Sequence, residues 1–198
     1  SQDVDAAAQI AGITARGLVL AFAIGVIIIL AKPVITGIAT AVFSASELVE
    51  SLMVDYASIR LFAAPAALGN MVVLGVLYGR QQMFGGMLLL LIVNTINLIL
   101  DFVFVLGLGM TVSGVALASV IAQWSGFIFM MWYINRPGSL IGIGPFLHAT
   151  LFLSALRDHF AYRRFFVLGR DIFIRTALLV LCEALVLNQA AKLSDLDL

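Results

Sequence analysis

The sequence predicts an all-α integral membrane protein with about five transmembrane helices, and three observations carry that reading. Of its 198 residues, 63% are hydrophobic and 11% charged, whereas soluble globular chains carry about a quarter charged residues. The mean hydropathy is +1.13. The apolar residues also come in runs long enough to cross a bilayer, about 20 residues each, with short turns between them. A formal net charge of zero says nothing about nucleic acid, and no basic stripe suggests such a partner. The single cysteine, Cys182, excludes an internal disulfide framework and a cysteine metal cluster; in its apolar run it is expected to be a small buried hydrophobe. The abrupt start and finish are those expected of a piece of a longer protein.

The first helix is predicted from the small residues before Arg16 through the uncharged stretch 17–31. Lys32-Pro33 closes or kinks it, because proline has no N–H to give to the helix ladder. Residues 34–43 are apolar but short. Residues 44–55 hold Glu47, Glu50 and Asp55 and are expected to form an interfacial loop leading into the next helix.

The second helix covers residues 61–79, without a charge. Pro65 lies inside it, which a spanning helix tolerates when neighbours satisfy the freed carbonyl. Gly79, Arg80, Gln81 and Gln82 form the turn. The third helix runs over residues 83–106 and ends at the uncharged turn Gly107-Leu108-Gly109. The fourth covers residues 112–134. Its Gly114, Ala118, Ala122 and Gly126 recur every fourth residue, a small-residue stripe that lets another helix backbone come close. Trp132 and Tyr133 at its end suit an interfacial aromatic belt.

Residues 135–169 differ in character. They hold Pro137, Gly138, Gly142, Gly144 and Pro145, then Arg157, Arg163 and Arg164 among aromatic residues, the composition of a linker with an interfacial helix. His148 and His159 lie there eleven residues apart with no companion ligands, which reads as solvated surface histidines and not as a metal pair. A fifth helix starts near Asp171, whose charge complements the helix dipole and pairs at i,i+4 with Arg175. Lys and Arg orient the bundle: seven of them (Arg16, Arg80, Arg136, Arg157, Arg163, Arg164, Arg170) share one side with the linker, and three (Lys32, Arg60, Lys192) the other. The linker is therefore expected in the cytoplasm, with Asp101 in the outer half of the membrane.

The third helix carries the polar residues with the most to explain. Asn94, Asn97 and Asp101 fall on one narrow face at about 100° per residue. A carboxylate and two amides are costly in hydrocarbon, so such a group turns into a protein interior or a wet cavity, where it often has a function. The competing reading is that Asp101 reaches interfacial water near the helix end, with the amides as interhelical hydrogen-bonding groups. Gly107 is six residues on, about 9 Å at helical rise, so both readings stay open at this point.

Several stretches resemble one family. They are Tyr56-Ala57-Ser58-Ile59-Arg60, Ala64-Pro65-Ala66, Gly75-Val76-Leu77-Tyr78-Gly79, Asn94-Thr95-Ile96-Asn97-Leu98-Ile99-Leu100-Asp101, Gly114-Val115-Ala116-Leu117-Ala118 and Arg170-Asp171-Ile172-Phe173-Ile174-Arg175-Thr176. In their order and spacing, over nearly the whole chain, they look like the multidrug and toxic compound extrusion (MATE) family, in its DinF (DNA-damage-inducible protein F) branch. The resemblance implies part of a twelve-helix, two-lobe bundle. Residues 1–134 would be a partial amino-terminal lobe (the family's helices three to six), 135–170 the cytoplasmic linker with its interfacial helix, and 171–198 the truncated first helix of the carboxy-terminal lobe.

The resemblance also implies an activity: export of cationic or amphipathic compounds in exchange for protons or sodium, by alternating access, in the bacterial inner (plasma) membrane. The expected partners are those small molecules and the lipid bilayer, together with the family helices that this chain does not contain. No cofactor is expected beyond a proton or sodium gradient, and no metal beyond sodium at Asp101 and Asn97. By resemblance, Asn97 and Asp101 match the family's Asn-x-x-x-Asp coupling pair, and Asn94, Tyr56 and Ser119 its surrounding cavity. The family's helix-one aspartate has no counterpart among these residues, and Glu183 matches no coupling residue. A carboxylate placed in such a cavity can take up a proton on one side and release it on the other.

Three other functions compete. A lipid-linked saccharide flippase of the same superfamily would place more basic residues in the spans. A non-transporting membrane fragment would leave the stripe at Gly114, Ala118, Ala122 and Gly126 needing a helix from elsewhere. A membrane-embedded enzyme needs clustered His, Asp, Glu or Ser-Lys groups, which two isolated histidines and one cysteine do not supply, so no enzymatic activity is expected.

Overall fold

The computed structural model describes residues 2–42, 46–135, 162–163, 169–170, 174–179 and 181–182, and these are helical wherever they have regular structure. Six α-helices follow in order: α1 (Gln2–Leu30), α2 (Lys32–Val42), α3 (Glu47–Arg60), α4 (Ala64–Gly79), α5 (Met83–Asp101) and α6 (Val112–Asn135). A 3₁₀ turn, Leu61–Ala63, joins α3 to α4, and a π-helical turn, Phe102–Gly107, extends α5. Among the described residues, four stretches are long and apolar enough to cross a membrane: Gln9–Leu30, Glu47–Gly79, Met83–Gly107 and Val112–Asn135. The fifth expected span falls mostly outside the described residues, as do the linker, His148, His159, Asp171 and Glu183.

The boundaries follow from proline and charge. Pro33 is the second residue of α2, where its missing N–H costs nothing. The backbone N–H groups of Val34 and Ile35 both bond the carbonyl of Ala31, so the chain restarts a helix after one turn residue. Pro65 does the same at the start of α4, which corrects the expectation of a proline inside one uninterrupted helix: the 3₁₀ turn absorbs it. The expected interfacial loop over 44–55 is also corrected. From Glu47 onward it is helix, with Glu47 and Glu50 in the first turn, where carboxylates favour the positive end of the helix dipole. Glu47 and Asp55 are exposed and Glu50 is half-buried, and none of them interrupts the helix.

The α4–α5 turn closes α4 by a paired motif: Gln82 N–H bonds the carbonyl of Leu77 and Gln81 N–H that of Tyr78. This Schellman arrangement places a left-handed residue between helix and turn, and here it is Gln81, at φ 59°.

Around these turns, α1 packs on α4, α3 on α6, and α4 and α5 on α6. The buried core is built largely of small or slender side chains, among them Ala11, Ala15, Val73, Leu77, Leu89, Met130 and Ile134. Spanning helices gain little from hydrophobic transfer and must gain from close approach. The stripe on α6 does this: Gly114, Ala118, Ala122 and Gly126 are all buried. A Cβ on Gly126 would collide with Val93 on α5, and one on Gly25 in α1 would meet the backbone N and Cα of Pro65. The outward faces are apolar, including Ile27, Leu30, Phe84, Leu91 and Leu98, as a lipid-facing surface requires.

Residues 156–198 form a separate compact unit. Its described segments, 162–163, 169–170, 174–179 and 181–182, are helical. Cys182 there is a free thiol and exposed, not buried as expected; an apolar sequence context does not by itself bury a residue.

Candidate functional site

Helix α5 ends on its own polar residues. Asn97 and Asp101 are one turn apart, and Asn97 Nδ2 donates to Asp101 Oδ2 at 2.7 Å. The bond is intrahelical and follows from i,i+4 spacing alone. The amide oxygen of Asn97 is used across the helix interface: Ser119 Oγ on α6 donates to Asn97 Oδ1 at 3.2 Å. The cluster therefore runs from Ser119 through Asn97 to Asp101 and ties α6 to the end of α5.

The second carboxylate oxygen, Asp101 Oδ1, is buried and has no hydrogen-bond partner among the described residues. A buried carboxylate oxygen without a donor is costly, about 1–3 kcal/mol or more for a charged group, and such atoms mark places where function outweighs stability. Immediately after Asp101 the chain changes from α to π geometry over Phe102–Gly107. Leu108 N–H bonds the carbonyl of Val103, five residues back, and Met110 N–H that of Phe104. Single π turns of this kind concentrate at functional sites because they re-aim the side chains beside them.

The other expected residues are placed differently. Asn94 is exposed, and its Nδ2 returns to the carbonyl of Leu90 in its own helix at 2.9 Å. Asn94 lies on the same face of the helical wheel, about 20° from Asp101 and 60° from Asn97, but it sits two turns before Asp101 and, among the described residues, makes no hydrogen bond to α6. Tyr56 is half-buried on α3, which packs on α6, but no hydrogen bond links it to the cluster among the described residues.

A second polar pair escaped the reading of the sequence. Asn70 on α4 is 5% exposed, and its Nδ2 donates both to the main-chain carbonyl of Gln123 on α6, at 3.0 Å, and to Gln123 Oε1, at 2.9 Å. The signal was present: each is an amide in the middle of an otherwise apolar span. Nearby, Phe22, Trp124 and Phe127 form an aromatic group with centroids 5.3–6.3 Å apart, and Trp124 Nε1 donates to the carbonyl of Phe62 at 3.1 Å.

Asp101 meets the amide nitrogen of Asn97, whose oxygen is taken by the Ser119 hydroxyl, so Asp101 Oδ1 is the oxygen left to take an ion. It suits a proton or a hard monovalent cation and is not the nitrogen or sulfur that transition metals prefer. Among the described residues no group of three or more His, Cys, Asp or Glu side chains converges on a metal position.

Compared with curated proteins, the chain is 34% identical over 178 residues, 90% of its length, to DNA damage-inducible protein F of Escherichia coli (strain K12). It spans 38% of that relative's length. No family model matches the chain, and no solved structure matches it.

Proposed function

We propose an ion-coupled exporter, from the premise that this chain is a DinF-like sequence of the MATE family of transporters. The protein exchanges protons or sodium for cationic or amphipathic compounds by alternating access. It does so in the bacterial inner membrane, with the linker cytoplasmic, and in a chain of the relative's full length. The observation that carries the reading is the orphaned carboxylate oxygen Asp101 Oδ1, held beside Asn97 and Ser119 inside an apolar bundle.

The chemistry follows from that geometry. Asn97 holds Asp101 Oδ2 in a fixed direction, so only Oδ1 is open to an incoming proton or sodium ion. When the ion arrives, the charge on the carboxylate is neutralised and its cost in a low-dielectric bundle falls. Each loading state then favours its own arrangement of helices, and an ion gradient can drive the exchange of one arrangement for the other. The π turn after Asp101 supplies backbone that has two ways of bonding, i→i+4 and i→i+5, within one segment.

The test is gradient-driven uptake of a fluorescent cation into inverted vesicles, the direction that cellular efflux takes there, from cells making the full-length protein, comparing wild type with Asp101→Asn. The amide keeps the size and loses the charge. Loss of gradient-driven uptake at normal protein level supports the reading. Retained coupling places Asp101 in a structural role and moves the ion site elsewhere.

A further inference from the structure

We infer that Asn70 is a positioning residue: by clamping Gln123 it sets the axial register of α6 and so holds Ser119 on Asn97. The functional meaning of this clamp rests on the coupling-site reading above; its geometry does not.

The atom assignment is fixed. The main-chain oxygen of Gln123 can only accept, so the side-chain atom of Asn70 that faces it is Nδ2, the donor. That same Nδ2 also meets Gln123 Oε1. Asn70 Oδ1 then has to point away, and it is buried with no partner among the described residues. An amide buried in this way loses part of its desolvation cost without return. An apolar side chain would serve α4–α6 packing without leaving a buried oxygen unpaired, so stability does not explain an amide here. The best-attested use of a lone buried polar residue between apolar helices is to fix their register.

The placement supports that use. Gln123 lies one turn after Ser119 on α6, about 6 Å at helical rise. Asn70, Val93 and Leu89 all converge on Gly126, where an added Cβ would contact each of them. Val93 is itself one turn before Asn97 on α5. The three helices α4, α5 and α6 therefore meet at Gly126, one to two turns from the Ser119–Asn97 bond. An apolar interface of alanines and glycines slides easily along its axis. A donor locked to a main-chain carbonyl does not, because sliding by a fraction of a turn breaks both of its bonds.

The experiment uses the full-length protein with Cys182→Ala, Asn97→Cys and Ser119→Cys, whose native side-chain oxygens are 3.2 Å apart. The rate of oxidative cross-linking between the two cysteines is read in membranes, with Asn70 intact and with Asn70→Leu. The expected result is cross-linking slowed about tenfold by Asn70→Leu, a coupling of ordinary size for residues sharing an interface, with the melting temperature in detergent unchanged or raised. Asn70→Ala, which adds no bulk beside Gly126, guards against a leucine that fails to fit and should slow cross-linking likewise. An unchanged rate in both variants, or slowing that only follows a lowered melting temperature, overturns the inference. In the otherwise native protein, Asn70→Leu should raise the half-saturating ion concentration for efflux more than it lowers the maximal rate. Slowed cross-linking in a protein whose native form shows no ion-driven efflux would uphold the clamp and overturn the transport reading.

Discussion

Ser119 on α6 donates to Asn97 on α5 at 3.2 Å, and this one bond makes the end of α5 answer to the position of α6. The other end of Asn97 holds Asp101 Oδ2 at 2.7 Å. A displacement of α6 is therefore felt at the carboxylate through a single side chain, without any intervening flexible element.

Removing the Ser119 hydroxyl tests that link. Ser119→Ala deletes one neutral hydrogen bond, worth about 1 kcal/mol. The expected outcome is a rise in the half-saturating ion concentration on the order of fivefold, with normal membrane levels, measured by uptake into inverted vesicles.

Asn97→Ala goes further. It leaves both carboxylate oxygens of Asp101 without a protein donor, where native Asn97 serves Oδ2. Hydrogen bonds to charged groups are worth roughly 1.5–3 kcal/mol, so ion-driven efflux should weaken more than for Ser119→Ala. An effect equal to or smaller than that of Ser119→Ala would mean that Asn97 does not hold the carboxylate in the working protein.

Asn94 makes the contrasting case. It is exposed, and among the described residues its side chain bonds back to Leu90, although it shares the motif with Asn97 and Asp101. Asn94→Leu should leave ion-driven efflux within about twofold of wild type, since surface substitutions away from packed or paired groups cost about 0.5 kcal/mol or less. A loss comparable to Asn97→Ala would return Asn94 to the site.

Two glycines separate packing from propensity. A methyl on Gly25 meets the backbone of Pro65, whereas one on Gly75 meets nothing within 4 Å. Backbone cannot rotate aside as a side chain can, so Gly25→Ala should lower stability by about 1–3 kcal/mol. Gly75→Ala should hold or raise it by roughly 0.5–1 kcal/mol through helix propensity. Thermal melting of the detergent-solubilised protein reads both.

Much of this was legible in the chain itself. Four apolar runs became four helical stretches, with the turn at Gly79–Gln82 and the stripe on α6 where spacing put them. The Asn97–Asp101 bond needed only i,i+4 geometry. Charge misled at Glu47, Glu50 and Asp55, because acidic residues do not end a helix, and two of them sit in its first turn where the dipole favours them. Proline misled at Pro65, because a 3₁₀ turn resets the ladder just before it.

What the sequence by itself determined is therefore whatever repeats along one helix: which runs cross, which face is small, and which neighbours bond one turn apart. What the tertiary structure decided is which helix each face meets. It brought Ser119 to Asn97 across 22 residues of chain and Asn70 to Gln123 across 53, and it left Asn94 outside. Helical periodicity is fixed by local backbone geometry. The partner of a buried amide depends on where helices distant in sequence come closest, here at Gly126, and that is settled only when all their small faces are packed together.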